Sequence, residues 1–182
     1  MRRFATVALA LVCALLVFDA PPDAASTAAV AAAPPGPTGT LGEEEIGEQL
    51  RSLNPSLTER QLRRIAAAVL KYSVKYDLEP ELVIAVMRVE STARPWARSP
   101  KGAVGLMQVM PYMGAALDVA GNLTTVESNV EAGCMILGDN IRRLGEDEGI
   151  SAYFWGSDIR GASYLQSVRA ARAAIRGTAA AS

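Results

Sequence analysis

The chain has 182 residues, a net charge of −1 and no histidine. That length allows one compact domain once flexible segments are set aside. Without imidazole, Ser-His-Asp and Cys-His catalysis and every histidine-based zinc site are excluded, so a general acid or base must be a carboxylate, Tyr, Lys or a thiol. Lys and Arg are spread along the domain rather than blocked, which leaves no electrostatic footprint for nucleic acid. Half of the residues are hydrophobic, many of them alanine, a composition that supports a core and favours helix over sheet.

Arg2 and Arg3 precede an uncharged run from Phe4 to Phe18. A basic start followed by about fifteen apolar residues reads as a secretory signal, too short for a comfortable membrane span. Residues 1–20 are therefore read as a leader whose cleavage point is open. Export to the periplasm or cell envelope, or secretion, is the consequence. Residues 21–42 are Ala, Pro, Gly and Thr with almost no large apolar groups, a composition that cannot offset its ordering entropy and reads as a tether. Residues 43–57 are a linker or a short N-terminal extension. The domain proper is placed at 58–176, with a flexible tail over 177–182.

Thr58 and Gln61 have the spacing of a capping box. Behind them Leu62, Ile65, Val69, Tyr72 and Tyr76 recur at helical spacing. Asp77-Leu78-Glu79 breaks the pattern, and Pro80 suits the first turn of a new helix carrying Leu82, Val83, Val86 and Val89 and ending near Glu90. Pro95 and Pro100 bracket a loop, and a glycine-rich turn from Gly102 to Gly105 follows. Val130, Cys134, Leu137, Ile141 and Leu144 then mark one face of a helix. Gly145 to Gly149 reads as an acidic turn without the pattern of a calcium loop. A last helix carries Tyr164, Val168, Ala171 and Ile175. Period-two alternation is nowhere sustained, so the fold expected is mainly α, a single helical domain with little or no sheet. Cys134, alone once a leader carrying Cys13 is removed, sits on an apolar stripe and reads as core.

Glu90 is the candidate catalytic residue. Val83, Val86 and Met87 lie seven, four and three positions before it, hence on the same side of the helix. Burial against such neighbours disfavours the charged carboxylate and raises its pKa, as a general acid near neutral pH requires. Spacing alone leaves open a helix-end glutamate that faces water or pairs with Arg88 or Arg94.

Downstream residues narrow that choice. Glu90-Ser91 is followed by Ser99-Pro-Lys-Gly102-Ala103-Val-Gly105-Leu106-Met107-Gln108-Val-Met110-Pro111, and then by Asn129-Val130 with Gly133 and Leu137, and by Ala152-Tyr153 with Gly156. In order and spacing these blocks, over about residues 60 to 170, resemble the soluble lytic transglycosylase family. The resemblance implies a lysozyme-like domain that cuts peptidoglycan glycan strands between N-acetylmuramic acid and N-acetylglucosamine and leaves 1,6-anhydro ends. It implies Glu90 as acid and then base, Ser99 and Gln108 along the substrate, and Tyr153 orienting or assisting the glutamate. Met110, read as a substrate contact, and Met107 offer deformable apolar wall, with core filling the equal alternative for each. Ser91, Met107, Phe154 and Trp155 are further candidates for substrate contact, and Trp96 and Tyr112 are aromatic candidates. No metal or cofactor is implied. The partners expected are peptidoglycan strands and, beyond them, cell-envelope or secretion machinery, with no nucleic acid and no stable membrane span.

Two departures from the family pattern stand out. Phe154 occupies the position after the tyrosine where Asn is usual, and Met135-Ile136 replaces an aromatic pair. Asp118, Glu127, Glu131 and Asp139 remain open as a second carboxylate. The alternatives are a hydrolytic muramidase of the goose-type kind and a non-catalytic peptidoglycan-binding or secretion-assembly module.

Overall fold

Local chemistry sets most helix ends. The computed structural model describes residues 41–117 and 121–179, which form α1 (Glu43–Leu53), α2 (Glu59–Lys75), α3 (Pro80–Ser91), α4 (Pro111–Ala116), α5 (Val126–Leu144), α6 (Glu146–Trp155) and α7 (Ser163–Ala179). The expected leader, nearly all of the tether, and Asp118 lie outside the described residues.

Thr58 caps α2 as its spacing predicts. Its hydroxyl accepts the Gln61 N–H, and the Gln61 side chain accepts the Thr58 N–H at 2.8 Å, which satisfies two donors that no helical carbonyl can reach. Pro80 opens α3, where its missing N–H costs nothing. Thr92 and Ala93, both in the left-handed region at φ 52° and 54°, stop α3 just beyond Glu90. Gly145 ends α5 and directly precedes α6, so the segment expected as an acidic turn is helical instead. Glu146, Asp147 and Glu148 form the first turn of α6, where negative charge complements the helix dipole.

Residues 43–57, read as a linker or extension, carry α1. Ile46 and Leu50, four residues apart on one face, are fully buried as α1 packs on α2. Leu41, counted in the tether, is buried too. At the other end α7 runs through Gly177 to Ala179, so half of the expected tail is helix. The N-terminal extension rests on apolar contacts too sparse in sequence to register as a stripe, whereas at the C-terminal one Thr178 accepts a hydrogen bond from Gln49 of α1 at 2.7 Å.

α3 lies at the centre of the domain. Leu82 through Met87 are buried without interruption, the signature of a helix enclosed on all sides. It packs chiefly on α7 and also on α2 and α1, while α5 pairs with α6 and α2. Glu79, just before α3, binds Arg172 and Arg176 of α7, and Arg172 also holds Glu146 of α6. The charged cluster thus ties three helices at one end. Val130, Cys134 and Leu137 are buried as predicted, whereas Leu144 is exposed because the stripe runs out at the helix end. Among the described residues, β structure is limited to two isolated bridges, Arg98 with Val104 and Val104 with Val109. The mainly α domain expected from the sequence is the one observed. No helix of the described residues is long and apolar enough to cross a membrane.

Candidate active site

A cleft of about 830 Å³ lies between the C-terminal end of α3, the loop after it, and α6. Glu90, Ser99, Gln108, Met110 and Tyr153 all line it, together with Phe154 and Trp155. Glu90 is the sole acidic side chain lining it among the described residues. The other described carboxylates considered for catalysis are engaged elsewhere: Glu127 with Arg64, Glu131 with Lys75, and Asp139 with Arg142 and Arg143. The arginine salts of Glu127 and Asp139 and the Lys75 ammonium beside Glu131 hold those carboxyls below their ordinary range, for Glu131 against an opposing effect of burial.

Glu90 is in the opposite situation. Burial pushes its pKa up, and the hydrogen bond that Tyr164 donates to Oε1 at 2.7 Å pulls it partly back. Its place in the last turn of α3, at the negative end of the helix dipole, acts in the same direction as burial. No ion pair among the described residues involves Glu90, and Arg94 instead donates through Nε to the Ser91 carbonyl at 2.8 Å. One carboxyl oxygen is therefore held by a phenol while the group stands in a cleft, an arrangement suited to giving a proton away and taking one back.

The loop from 92 to 110 is shaped by polar anchors. Ser91 is buried and donates its hydroxyl to the Leu106 carbonyl at 2.7 Å, so it ties the loop to the end of α3 and is not at the cleft surface. Val104 and Val109 exchange backbone hydrogen bonds of 3.0 Å. Asn129 of α5, also buried, accepts the Met107 N–H at 2.8 Å and donates to the carbonyls of Val104 at 2.8 Å and Leu123 at 3.0 Å. Gly105, at φ 79°, leaves room for that amide: a Cβ there would lie 2.3 Å from Asn129 Nδ2. Met107 is buried against Gly133, where a Cβ would come within 2.4 Å of its sulfur. Ser91 and Met107, both candidates for substrate contact, are buried and belong to the support, which for Met107 is the core-filling alternative.

Gln108 sits in the left-handed region at φ 49°, and its side-chain NH₂ donates to Ala97 O at 3.2 Å and Gly105 O at 2.8 Å. Both donors are used on the loop, which leaves Oε1 as the part of the amide not bonded to it. Ser99 Oγ accepts the Ala103 N–H at 3.0 Å, so its own O–H is available to donate. Met110 and Ile136 supply apolar wall. Trp96 and Tyr112 are exposed but do not line the cleft.

The expected partnership of Tyr153 with the glutamate is corrected by geometry. Tyr153 donates to the Met107 carbonyl at 2.8 Å, and Tyr164 takes the role at Glu90. Burial pushes both phenols well above their ordinary range, and the Glu90 charge adds to that. Both therefore stay protonated donors. Tyr164 registered in the sequence only as one position of an apolar stripe, and a stripe does not tell which phenol ends beside which carboxyl. Cys134 is buried, and its thiol is pushed up by burial, in keeping with a core role. No group of three or more His, Cys, Asp or Glu among the described residues could hold a metal ion.

Residues 67–170 match the family model described as transglycosylase SLT domain. A transglycosylase of Enterobacteria phage PRD1 is 36% identical over 87 residues, which is 47% of this chain and 32% of the relative. Membrane-bound lytic murein transglycosylase C of Actinobacillus pleuropneumoniae is 42% identical over 53 residues, covering 29% of this chain and 14% of that protein. The chain thus spans about a third or less of these relatives' length. The 70 kDa soluble lytic transglycosylase of Escherichia coli shares the lysozyme-like helical fold at a TM-score of 0.50 and 20% identity, over 72% of this chain and 26% of that one.

Proposed function

The chain belongs to the transglycosylase SLT domain family, and we propose on that premise that it cleaves the β-1,4 bond between N-acetylmuramic acid and N-acetylglucosamine of peptidoglycan without consuming water. The observation that carries this reading is the solitary carboxyl: Glu90 is raised in pKa by burial, and no second acid lines the cleft among the described residues. Most glycosidases divide the work between two carboxylates. With one, the substrate must supply the second group, and the 2-acetamido oxygen of the muramoyl sugar is suitably placed on its own ring to do so.

Protonated Glu90 gives its proton to the glycosidic oxygen as the bond from C1 breaks. The acetamido oxygen bonds to C1 and bears the positive charge. Ionised Glu90 then removes the proton from the C6 hydroxyl, whose oxygen bonds to C1 as the acetamido oxygen departs. The 1,6-anhydro ring closes, Glu90 is again protonated, and no water enters. Tyr164 donates to Glu90 Oε1 throughout, a bond that strengthens when the carboxyl is ionised. Gln108 Oε1 accepts from an amide or hydroxyl of the sugar, and the Ser99 hydroxyl donates to it. Such a substrate places the working protein outside the cytoplasmic membrane, where the basic-apolar start of the chain also directs it.

Mass analysis of fragments released from purified peptidoglycan tests the reading. Fragments with anhydro ends are expected. Ends heavier by one water identify a hydrolase, and binding without release identifies a non-catalytic module; either result overturns the proposal.

A further inference from the structure

Phe154 stands where the family pattern usually has Asn, and its surroundings give it a job. Its ring lies 4.9 Å from that of Tyr164 at an interplanar angle of 16°, a stacked pair. Trp155 meets the same Phe154 ring edge-on at 4.9 Å and 89°. Phe154 is 53% exposed whereas Tyr164 is 6% exposed. One face of the Phe154 ring therefore looks into the open cleft, and the other lies on the phenol that binds Glu90. A half-exposed ring adds little to the core, but it covers one face of the phenol whose hydroxyl binds Glu90. Resting on the reading of Glu90 as the acid, we propose that Phe154 is a positioning residue, a cover that fixes the Tyr164 ring against the carboxyl and keeps bulk water off their hydrogen bond.

Asn at this position would bring a polar amide and its hydration into the same space. Phe154 replaces that polar contact with exclusion of water, which suits a reaction in which the C6 hydroxyl must reach C1 before water does. The titratable groups facing Glu90 are Tyr164 from α7 and Tyr153 from α6, with Cys134 of α5 behind Tyr153. Lys101 and Arg160 also line the cleft, and Arg160 is paired with Asp158. None of these cations forms an ion pair with Glu90 among the described residues, so the balance between burial and the phenol sets its proton affinity. Loss of the cover admits water, favours the charged form and lowers that affinity.

The test compares Phe154→Asn and Phe154→Tyr in the full chain. The side-chain carboxyl carbon of Glu90 is titrated by NMR without substrate, and kcat and KM on purified peptidoglycan are followed across pH. Phe154→Asn is expected to lower the Glu90 midpoint by about half a pH unit or more, roughly a threefold change in proton affinity. The alkaline limb of kcat should move down with it, kcat at neutral pH should fall several-fold, and KM should hold. Phe154→Tyr, which keeps the stacked ring, should restore both. An unchanged midpoint in Phe154→Asn overturns the proposal, and so does a rise in KM with kcat intact, which would make Phe154 a sugar platform. If Phe154→Asn fails to fold by circular dichroism, Phe154→Leu takes its place, with an intermediate midpoint expected and a wild-type midpoint contradicting the idea. The titration needs no turnover, so a wild-type protein that cuts no glycan would end the functional reading while the cover is still decided.

Discussion

The two sides of the cleft are held by different means. On the side of α3 and the 92–110 loop, Ser91, Asn129 and Gln108 bond to backbone carbonyls and amides, and Gly105 and Gly133 allow the close approaches. On the side of α6 and α7, side chains hold one another: Tyr164 grips Glu90, Phe154 stacks on Tyr164, and Trp155 meets Phe154 edge-on. Backbone anchoring fixes where the loop runs and tolerates little substitution. Ring-on-ring contact fixes how the acid behaves, and it can be retuned residue by residue. The motif residues named on the first side keep the family pattern, while the departures fall at Phe154 on the second side and at Met135-Ile136 of α5.

Substitutions on the chemical side should act chiefly on rate. Glu90→Gln is expected to cost the most, roughly 10²- to 10⁴-fold in kcat, the usual contribution of a general acid, measured as release of soluble glycan. The same change should raise the melting temperature at neutral pH, because it removes a carboxyl whose ionisation the fold opposes. The sign follows from the raised pKa in the folded state. Below the ordinary value of about 4.3 both states are protonated and nothing is lost. As pH rises from there through the folded value, the unfolded state ionises first and stability declines. The advantage of Glu90→Gln should therefore vanish when melting is repeated at pH below that ordinary value.

Tyr164→Phe keeps the stacked ring and deletes the hydroxyl, so kcat should fall roughly tenfold, the worth of a hydrogen bond to a charged group. It should move the alkaline limb of the pH profile upward, because the bond it removes lowers the Glu90 pKa. That is opposite to the direction expected when water is admitted.

On the anchored side the effect should be on folding. Asn129→Ala strips three backbone partners, one N–H and two carbonyls. It should cost about 2–4 kcal/mol in urea unfolding if each orphaned group loses about 1 kcal/mol. Thr58→Ala, far from the cleft, should cost only about 1 kcal/mol through its lost cap, with kcat unchanged. If Asn129→Ala lowered the rate without lowering stability, the division between the two sides would fail.

Much of the anchored side was legible because its constraints are local or tied to fixed spacing. The Thr58 cap and Pro80 at the start of α3 could be placed from residue type and order, and Gln108 from the resemblance, whereas α3 showed only a stripe of Leu82, Val83, Val86 and Val89 where Leu82 through Met87 are buried without interruption. What could not be read was direction. Ser91 and Met107 belong to the conspicuous blocks, yet both turn inward, since a motif does not say which of its members face the ligand. Tyr164 and Glu90 meet across 74 residues, and only the packing of α7 on α3 decides that this phenol, not Tyr153, reaches the carboxyl. α1 escaped as a helix because two buried side chains, Ile46 and Leu50, make too thin a stripe beside four glutamates. The Gly145 segment misled because one glycine serves two helices.

The most direct test of the central claim, that burial keeps Glu90 ready to donate a proton, is titration of the side-chain carboxyl carbons in the folded wild-type protein, with Glu90→Gln identifying its resonance. Glu90 should lose its proton well above Glu127 and Glu131, which their cationic partners hold below the ordinary range. Titration of Glu90 together with those two, or below them, would contradict the account.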